Sequence, residues 1–240
     1  MIDKSKIYKN YFATHYSNWV DIEIYYSDTY RYTKKSIGDL FNIYPKDVQI
    51  LDLWCWFWWF ANFCKKEWFW NYTWVDLSTD ELEICKNNFK EYTFTQDDII
   101  NFLEHTTKKF EIIYLSMVFE HLTLEQCQKF INAVYKVLKK GGVFINYQPN
   151  ADSYFNSTAS LYVDITHERL RWKGSYLQFV NNLYLKNIDI SFRNSYIGKN
   201  IFQNIIHKTT KKVFEIFLLL LWYDNKEIYT KSFYSIITKL

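Results

Sequence analysis

The sequence predicts an α/β domain built on an open, mostly parallel sheet with helices on both faces. Three observations carry that expectation. Strand and helix signals alternate from about residue 47 to 147, and strands alternating with helices of about 10–15 residues define βαβ units. The apolar strand segments are near-continuous rather than alternating, as strands covered on both faces must be. At 240 residues and 49% apolar content the chain can bury a large core without a disulfide or metal staple.

Taken in order, residues 1–44 read as a helical, aromatic N-terminal cap, and 45–240 as the main domain with a helical insertion or lid over about 151–225. Pro45-Lys46-Asp47 is a turn, and Val48 to Leu53 a buried strand. Ala61 to Glu67 reads as helix and Asn71 to Val75 as the second strand, ending at Asp76. Ser78 and Glu81 have capping-box spacing at the start of a helix whose apolar face is Leu82, Cys85 and Phe89. Tyr92 to Thr95 is a weak strand and Phe110 to Leu115 a stronger one. A helix from Thr123 or Leu124 to Lys139 is stopped by Gly141-Gly142, before a strand from Val143 to Tyr147. Residues 174–185 and 199–221 read as helices, 187–192 and 228–238 as strands. The predicted sheet has seven strands, the last antiparallel.

Composition narrows the function classes. The 29 basic and 26 acidic residues leave a net charge of +3 with no isolated Lys/Arg block, so no nucleic-acid partner is expected. The opening MIDKSKIYKNYF has no apolar signal-peptide core, and the longest apolar run, 216–222, is too short for a transmembrane segment. A cytoplasmic location is the expectation. The basic amphipathic helix 199–221 allows peripheral membrane contact, with packing on the sheet edge preferred. Cys55, Cys64, Cys85 and Cys127 form no CxxC or zinc spacing, so reduced thiols and no metal are expected. Nothing in the sequence sets an oligomeric state.

One imbalance stands out. Average usage of about 7% would give roughly 17 glycines. The chain has 5, and it has 10 tryptophans, seven of them between Trp54 and Trp74. The loop after the first strand, Trp54-Cys55-Trp56-Phe57-Trp58-Trp59, lies where open α/β sheets bind ligands. Such a loop calls for positive φ and close backbone approach, both glycine properties.

With glycine read for tryptophan, residues 50–78 become ILDLGCGFGGFANFCKKEGFGNYTGVDLS. That segment resembles the first two motifs of class I S-adenosylmethionine-dependent methyltransferases. Unaltered segments agree: Leu115 to Leu122 with its Glu120-His121-Leu122, Leu138-Lys139-Lys140-Gly141-Gly142, Gln148-Pro149-Asn150-Ala151 and Asp164-Ile165-Thr166-His167-Glu168. The last two resemble a branch often serving cell-surface polysaccharide pathways. The resemblance spans about 45–190 and implies a Rossmann-like fold, S-adenosylmethionine as cofactor, and methyl transfer to an oxygen of a glycan or small molecule. It also implies roles. Asp76, with Leu77 beside it, meets the cofactor ribose. Asp97 and Asp98 lie near the adenine, and Ser116 and Met117 against the adenosine. Backbone at Trp54, Cys55, Trp56 and Trp58 lines the methionine end, whose ammonium Asp52 anchors.

His167 is the candidate base for an acceptor hydroxyl, because imidazole titrates near neutral pH. Its structural alternative is holding the loop with Thr166 and Glu168. Glu120 and His121 read as loop-shaping residues. His15, Tyr147 and Asn150 are candidate substrate contacts. A UGA codon read as glycine by the source and decoded as tryptophan would explain Trp54, Trp56, Trp58, Trp59, Trp68, Trp70, Trp74 and Trp222 together. If those tryptophans are real, the alternative is a catalytically inactive methyltransferase-like fold acting as a binding or scaffold protein. A nicotinamide oxidoreductase shares the glycine-rich loop and distant acid, but not the Glu120-His121-Leu122 and Pro149-Asn150-Ala151 segments.

Overall fold

The computed structural model describes residues 22–54, 59–151, 153, 161, 164–169, 173–195 and 232–240, with positions 209, 212, 213 and 216 besides. His15, Cys55, Trp56, Trp58 and Trp222 lie outside the described residues, as does most of the helix expected over 199–221.

The elements run α1 (Ile22–Ile37), a short 3-10 turn (Gly38–Phe41), β1 (Ile50–Leu53), α2 (Trp59–Lys66), β2 (Tyr72–Asp76), α3 (Thr79–Asn88) and β3 (Thr93–Gln96). They continue with α4 (Ile99–His105), β4 (Phe110–Ser116), a 3-10 turn (Phe119–His121), α5 (Leu124–Val137), β5 (Leu138–Pro149), α6 (Lys173–Asn181), β6 (Ile188–Asn194) and β7 (Ser232–Lys239). One sheet of seven strands has the order β3-β2-β1-β4-β5-β7-β6. The first five strands are mutually parallel, and β7 runs antiparallel to β5 and β6 on either side of it. This is the expected sheet, with the last strand as the antiparallel one.

Period-two side-chain alternation sends neighbouring strand residues to opposite faces, and two cores result. Ile50, Ile112, Tyr114, Ile145 and Ile236 pack with Phe60 and Phe63 of α2 and Ile37 of α1. Leu51, Leu53, Ile113, Leu115, Phe144 and Ile237 pack with Leu103 of α4, Phe130 and Val134 of α5, and Tyr176 of α6. Continuous apolar strands with a helix layer on each face are the physical content of the doubly covered sheet.

Three local differences have clear causes. The Ser78 hydroxyl accepts from Glu81 N, but the reciprocal arm of the capping box is missing because Ser78 N donates to Asp76 Oδ1 at 2.8 Å. The segment after β3 holds a helix, α4, whose N-cap is Asp98. Gly141-Gly142 lies within β5 rather than ending a helix in a loop, beside a register shift opposite Phe110 and Ile112. Gly141 has φ +76, and a Cβ at Gly142 would meet the Glu111 carbonyl at 2.8 Å. Both positions therefore require glycine.

The cysteine expectation is corrected at one position. Cys64 and Cys127 are free and buried, whereas Cys85 is disulfide-bonded to a partner outside the described residues. No described helix is long and apolar enough to cross a membrane.

Candidate active site

The strand order reverses direction between β1 and β4, and ligands in open α/β sheets bind beyond the carboxyl ends of strands at such a switch point. Asp52 lies one residue from the end of β1 and Trp54 just after it, Asp76 ends β2, and Ser116 ends β4 with Met117 next, so the fold gathers these predicted residues at one edge.

Asp52 is 3% exposed. Tyr72 donates its hydroxyl to Asp52 Oδ2, while Asp52 Oδ1 has no hydrogen-bond partner among the described residues. Burial holds this carboxyl well above its usual range, against the opposing effect of the Tyr72 hydrogen bond. Asp76, 1% exposed, accepts from Ser78 N through Oδ1, and its carbonyl accepts from Asp97 N. Beside it the buried Glu81 is raised to about 8, first by desolvation and then by the charge of Asp76. Sequence spacing marks Glu81 only as a cap. Its burial beside Asp76 depends on how α3 turns away from β2, and spacing alone does not show that.

Asp97 and Asp98 divide their hydrogen bonds. Asp98 Oδ1 accepts from Ile100 N and Asn101 N, capping α4. Asp97 Oδ1 accepts from Asp98 N and from Asn101 Nδ2. The Leu77 carbonyl accepts from Gln96 Nε2. Ser116 is buried, and Met117 has φ +53 with its N–H donated to the Tyr147 carbonyl. Tyr147 packs 4.7 Å from the Tyr234 ring and 6.0 Å from Trp59, and burial raises its phenol. Asn150 is buried at the end of β5.

Two of the described tryptophans adopt glycine backbone. Trp54 has φ +115 and Trp68 φ +65. After α2, Trp68 N donates to Lys65 O and Phe69 N to Cys64 O. That pair of bonds is a Schellman motif with Trp68 at C′, the left-handed position glycine usually fills. Its indole is 78% exposed and gains little from packing. Trp74 differs, being buried between Phe94 and Phe89, although its indole N–H has no acceptor among the described residues. Met117, Tyr184 and Asn187 also have positive φ, without a comparable glycine argument.

A second group forms beyond β4. Glu120, His121 and His167 each present a ligand atom within 4.8 Å of the others. The Glu120 carbonyl accepts from Glu168 N at 2.8 Å and Arg169 N at 3.2 Å, which ties the 164–169 loop to the 119–121 turn. The two imidazoles lie 4.6 Å apart. Each half carries an acid and a histidine in sequence, but their convergence is visible only in the fold. A cavity of about 360 Å³ lies between α5 and α6, lined in part by Leu124, Gln128 and Phe179, and meets the 164–169 loop at Arg169.

Comparison with known proteins agrees with this geometry. Residues 50–142 match the family model described as a methyltransferase domain. The fold is similar to that of a SAM dependent methyltransferase from Archaeoglobus fulgidus, at 19% identity and TM-score 0.63 over 99% of this chain and 100% of that one. It is also similar to an S-adenosylmethionine-dependent methyltransferase from Clostridium acetobutylicum ATCC 824, at 18% identity and TM-score 0.60 over 98% and 97%. A plantazolicin methyltransferase in complex with SAH matches at 16% identity and TM-score 0.62, over 98% and 95%. No curated protein matches the chain. Residues 50–142 thus resemble a methyltransferase domain, and the chain has the fold of class I S-adenosylmethionine-dependent methyltransferases.

Proposed function

We propose that the protein transfers a methyl group from S-adenosylmethionine to an oxygen of a glycan or small-molecule acceptor. The observation that carries this reading is Oδ1 of buried Asp52, which has no donor among the described residues, at the β1–β4 switch point. A buried carboxyl oxygen without a donor costs about 1–3 kcal/mol, and the donor's ammonium satisfies it. Asp76 accepts from the ribose diol, with Leu77 alongside. Asp97 and Asp98 border the adenine, while Ser116 and Met117 flank the adenosine. The bound donor supplies an electrophilic methyl group. The protein's share is alignment, worth on the order of 7–11 kcal/mol in the best cases, and removal of the acceptor's proton. His167 stands for that second task beside Glu120 and His121, with Tyr147 and Asn150 on the acceptor's approach. Calorimetric titration of S-adenosylhomocysteine tests the assignment: Asp76→Ala should weaken binding at least tenfold, and equal binding would refute it.

The same reading makes positions 54, 56, 58, 59, 68, 70, 74 and 222 glycine in the protein as its source cell makes it, through a UGA codon read there as glycine. It is supported by the positive φ at Trp54 and Trp68, by the indole N–H of Trp74, which has no acceptor among the described residues, and by 10 tryptophans against 5 glycines. Each side chain held in such backbone costs roughly 1–3 kcal/mol. Peptide mass spectrometry of native protein across Val48 to Lys86 should find glycine at 54, 56, 58 and 59. Tryptophan there would favour the second reading, a binding protein whose donor loop is filled by indoles.

A further inference from the structure

We propose that Glu120, His121 and His167 form a divalent-cation site, occupied by Zn²⁺ or a similar first-row ion, that binds the acceptor's oxygen. The inference rests on the methyltransferase reading for its role, but its ligand set stands on geometry alone. Ligand atoms 2.0–2.2 Å from one ion are separated from each other by roughly 3–4 Å. The three side chains already converge to within 4.8 Å, so small rotations complete the set. Two histidines and one glutamate with a further position open are the donors of catalytic zinc, and imidazole favours such ions over Mg²⁺ or Ca²⁺.

The surroundings prepare His121 to be a ligand. The Thr166 hydroxyl donates to Asp164 Oδ1 at 2.6 Å, and the Thr166 N–H donates to the same oxygen at 2.8 Å. With its proton committed, Thr166 Oγ1 accepts from His121 Nδ1 at 2.8 Å. Nδ1 therefore carries the hydrogen, and the lone pair lies on Nε2. Outer-shell bonds of this kind fix the tautomer and orientation of metal-binding histidines. Glu120 is 3% exposed, and its turn is fastened to the His167 loop through its own carbonyl. The three donors are consequently held on two mutually bonded segments, next to Ser116 and Met117 at the end of β4. With the ion bound, His167 serves proton removal through the ion it holds: the cation acidifies the bound hydroxyl, and His167 takes no proton itself. A hydroxyl on the ion loses its proton to water, its oxygen forms the C–O bond, and the donor's S–C bond breaks to leave a neutral thioether.

The test titrates Zn²⁺ and Co²⁺ into chelator-stripped full-length protein, followed by calorimetry and by Co²⁺ visible absorption. The cluster lies outside residues 54–59, so the tryptophan chain and its glycine form both serve. One ion per chain is expected, with binding weakened ten- to hundredfold or more by His167→Ala and by His121→Ala, and tenfold or more by Thr166→Val. His167→Ala changes a partly exposed loop residue, and circular dichroism checks that the variant folds. Absence of saturable binding, or binding that all three variants leave unchanged, would overturn the site. Titration of S-adenosylhomocysteine into the glycine form and its variants keeps the questions apart. If that ligand fails while the ion still binds, the role in methyl transfer falls and the cation site stands.

Discussion

Glu81 lies on the first turn of α3 beside Asp76, buried where water would otherwise support its charge. Its ordinary value of 4.5 is raised to about 8, so the folded protein holds a proton that the unfolded chain releases. The linkage has a definite sign: this contribution to stability is complete below about pH 4.5 and is lost as pH rises toward 8. Urea midpoints should fall across that window, and Glu81→Gln should flatten the fall. An unchanged slope would show that Glu81 is not the group responsible. Asp52, also raised by burial, should release its proton when the donor's ammonium arrives. Calorimetry in buffers of different ionisation enthalpy should detect that release, and Asp52→Asn should abolish it. At Trp68 the left-handed C′ backbone predicts that Trp68→Gly stabilises the protein by roughly 1–2 kcal/mol, measured by chemical denaturation. A loss of stability would mean that the exposed indole contributes more than its backbone costs.

Among the elements, α5 is the most legible in sequence. Phe130, Ala133, Val134 and Val137 repeat on one face, and all four are buried against the sheet. Its start is sharper than the apolar repeat alone indicates, because Thr123 and Gln126 form a complete capping box. Thr123→Ala should cost about 1 kcal/mol, read as a lower thermal midpoint without loss of helix elsewhere. The α4 helix escapes sequence reading, since Ile99–His105 spans only about two turns and its cap, Asp98, also belongs to a segment with a ligand-binding resemblance. Gly141-Gly142 misleads for a related reason. Two adjacent glycines signal a helix stop, yet here one supplies positive φ and the other clears a carbonyl inside a strand. Local signals show that a special backbone is needed, and tertiary context decides which one.

For the whole molecule, strand alternation makes the sheet and its two helix layers readable from the amino-acid pattern alone. The carboxyl-edge residues Asp52, Asp76, Asp97, Asp98, Ser116 and Met117 follow from motif position. Convergence between distant loops is what the pattern hides: Glu120 and His121 with His167, and Asp76 with Glu81. Such juxtapositions depend on loop paths that no periodicity encodes. The central claim is that glycine backbone at the end of β1 makes a pocket for S-adenosylmethionine. The most direct measurement compares S-adenosylhomocysteine binding to the tryptophan chain and to a chain carrying Trp54→Gly, Trp56→Gly, Trp58→Gly and Trp59→Gly. Saturable binding at one site, present in the glycine chain and weaker or absent in the tryptophan chain, is the predicted result. No binding to a correctly folded glycine chain would contradict the claim.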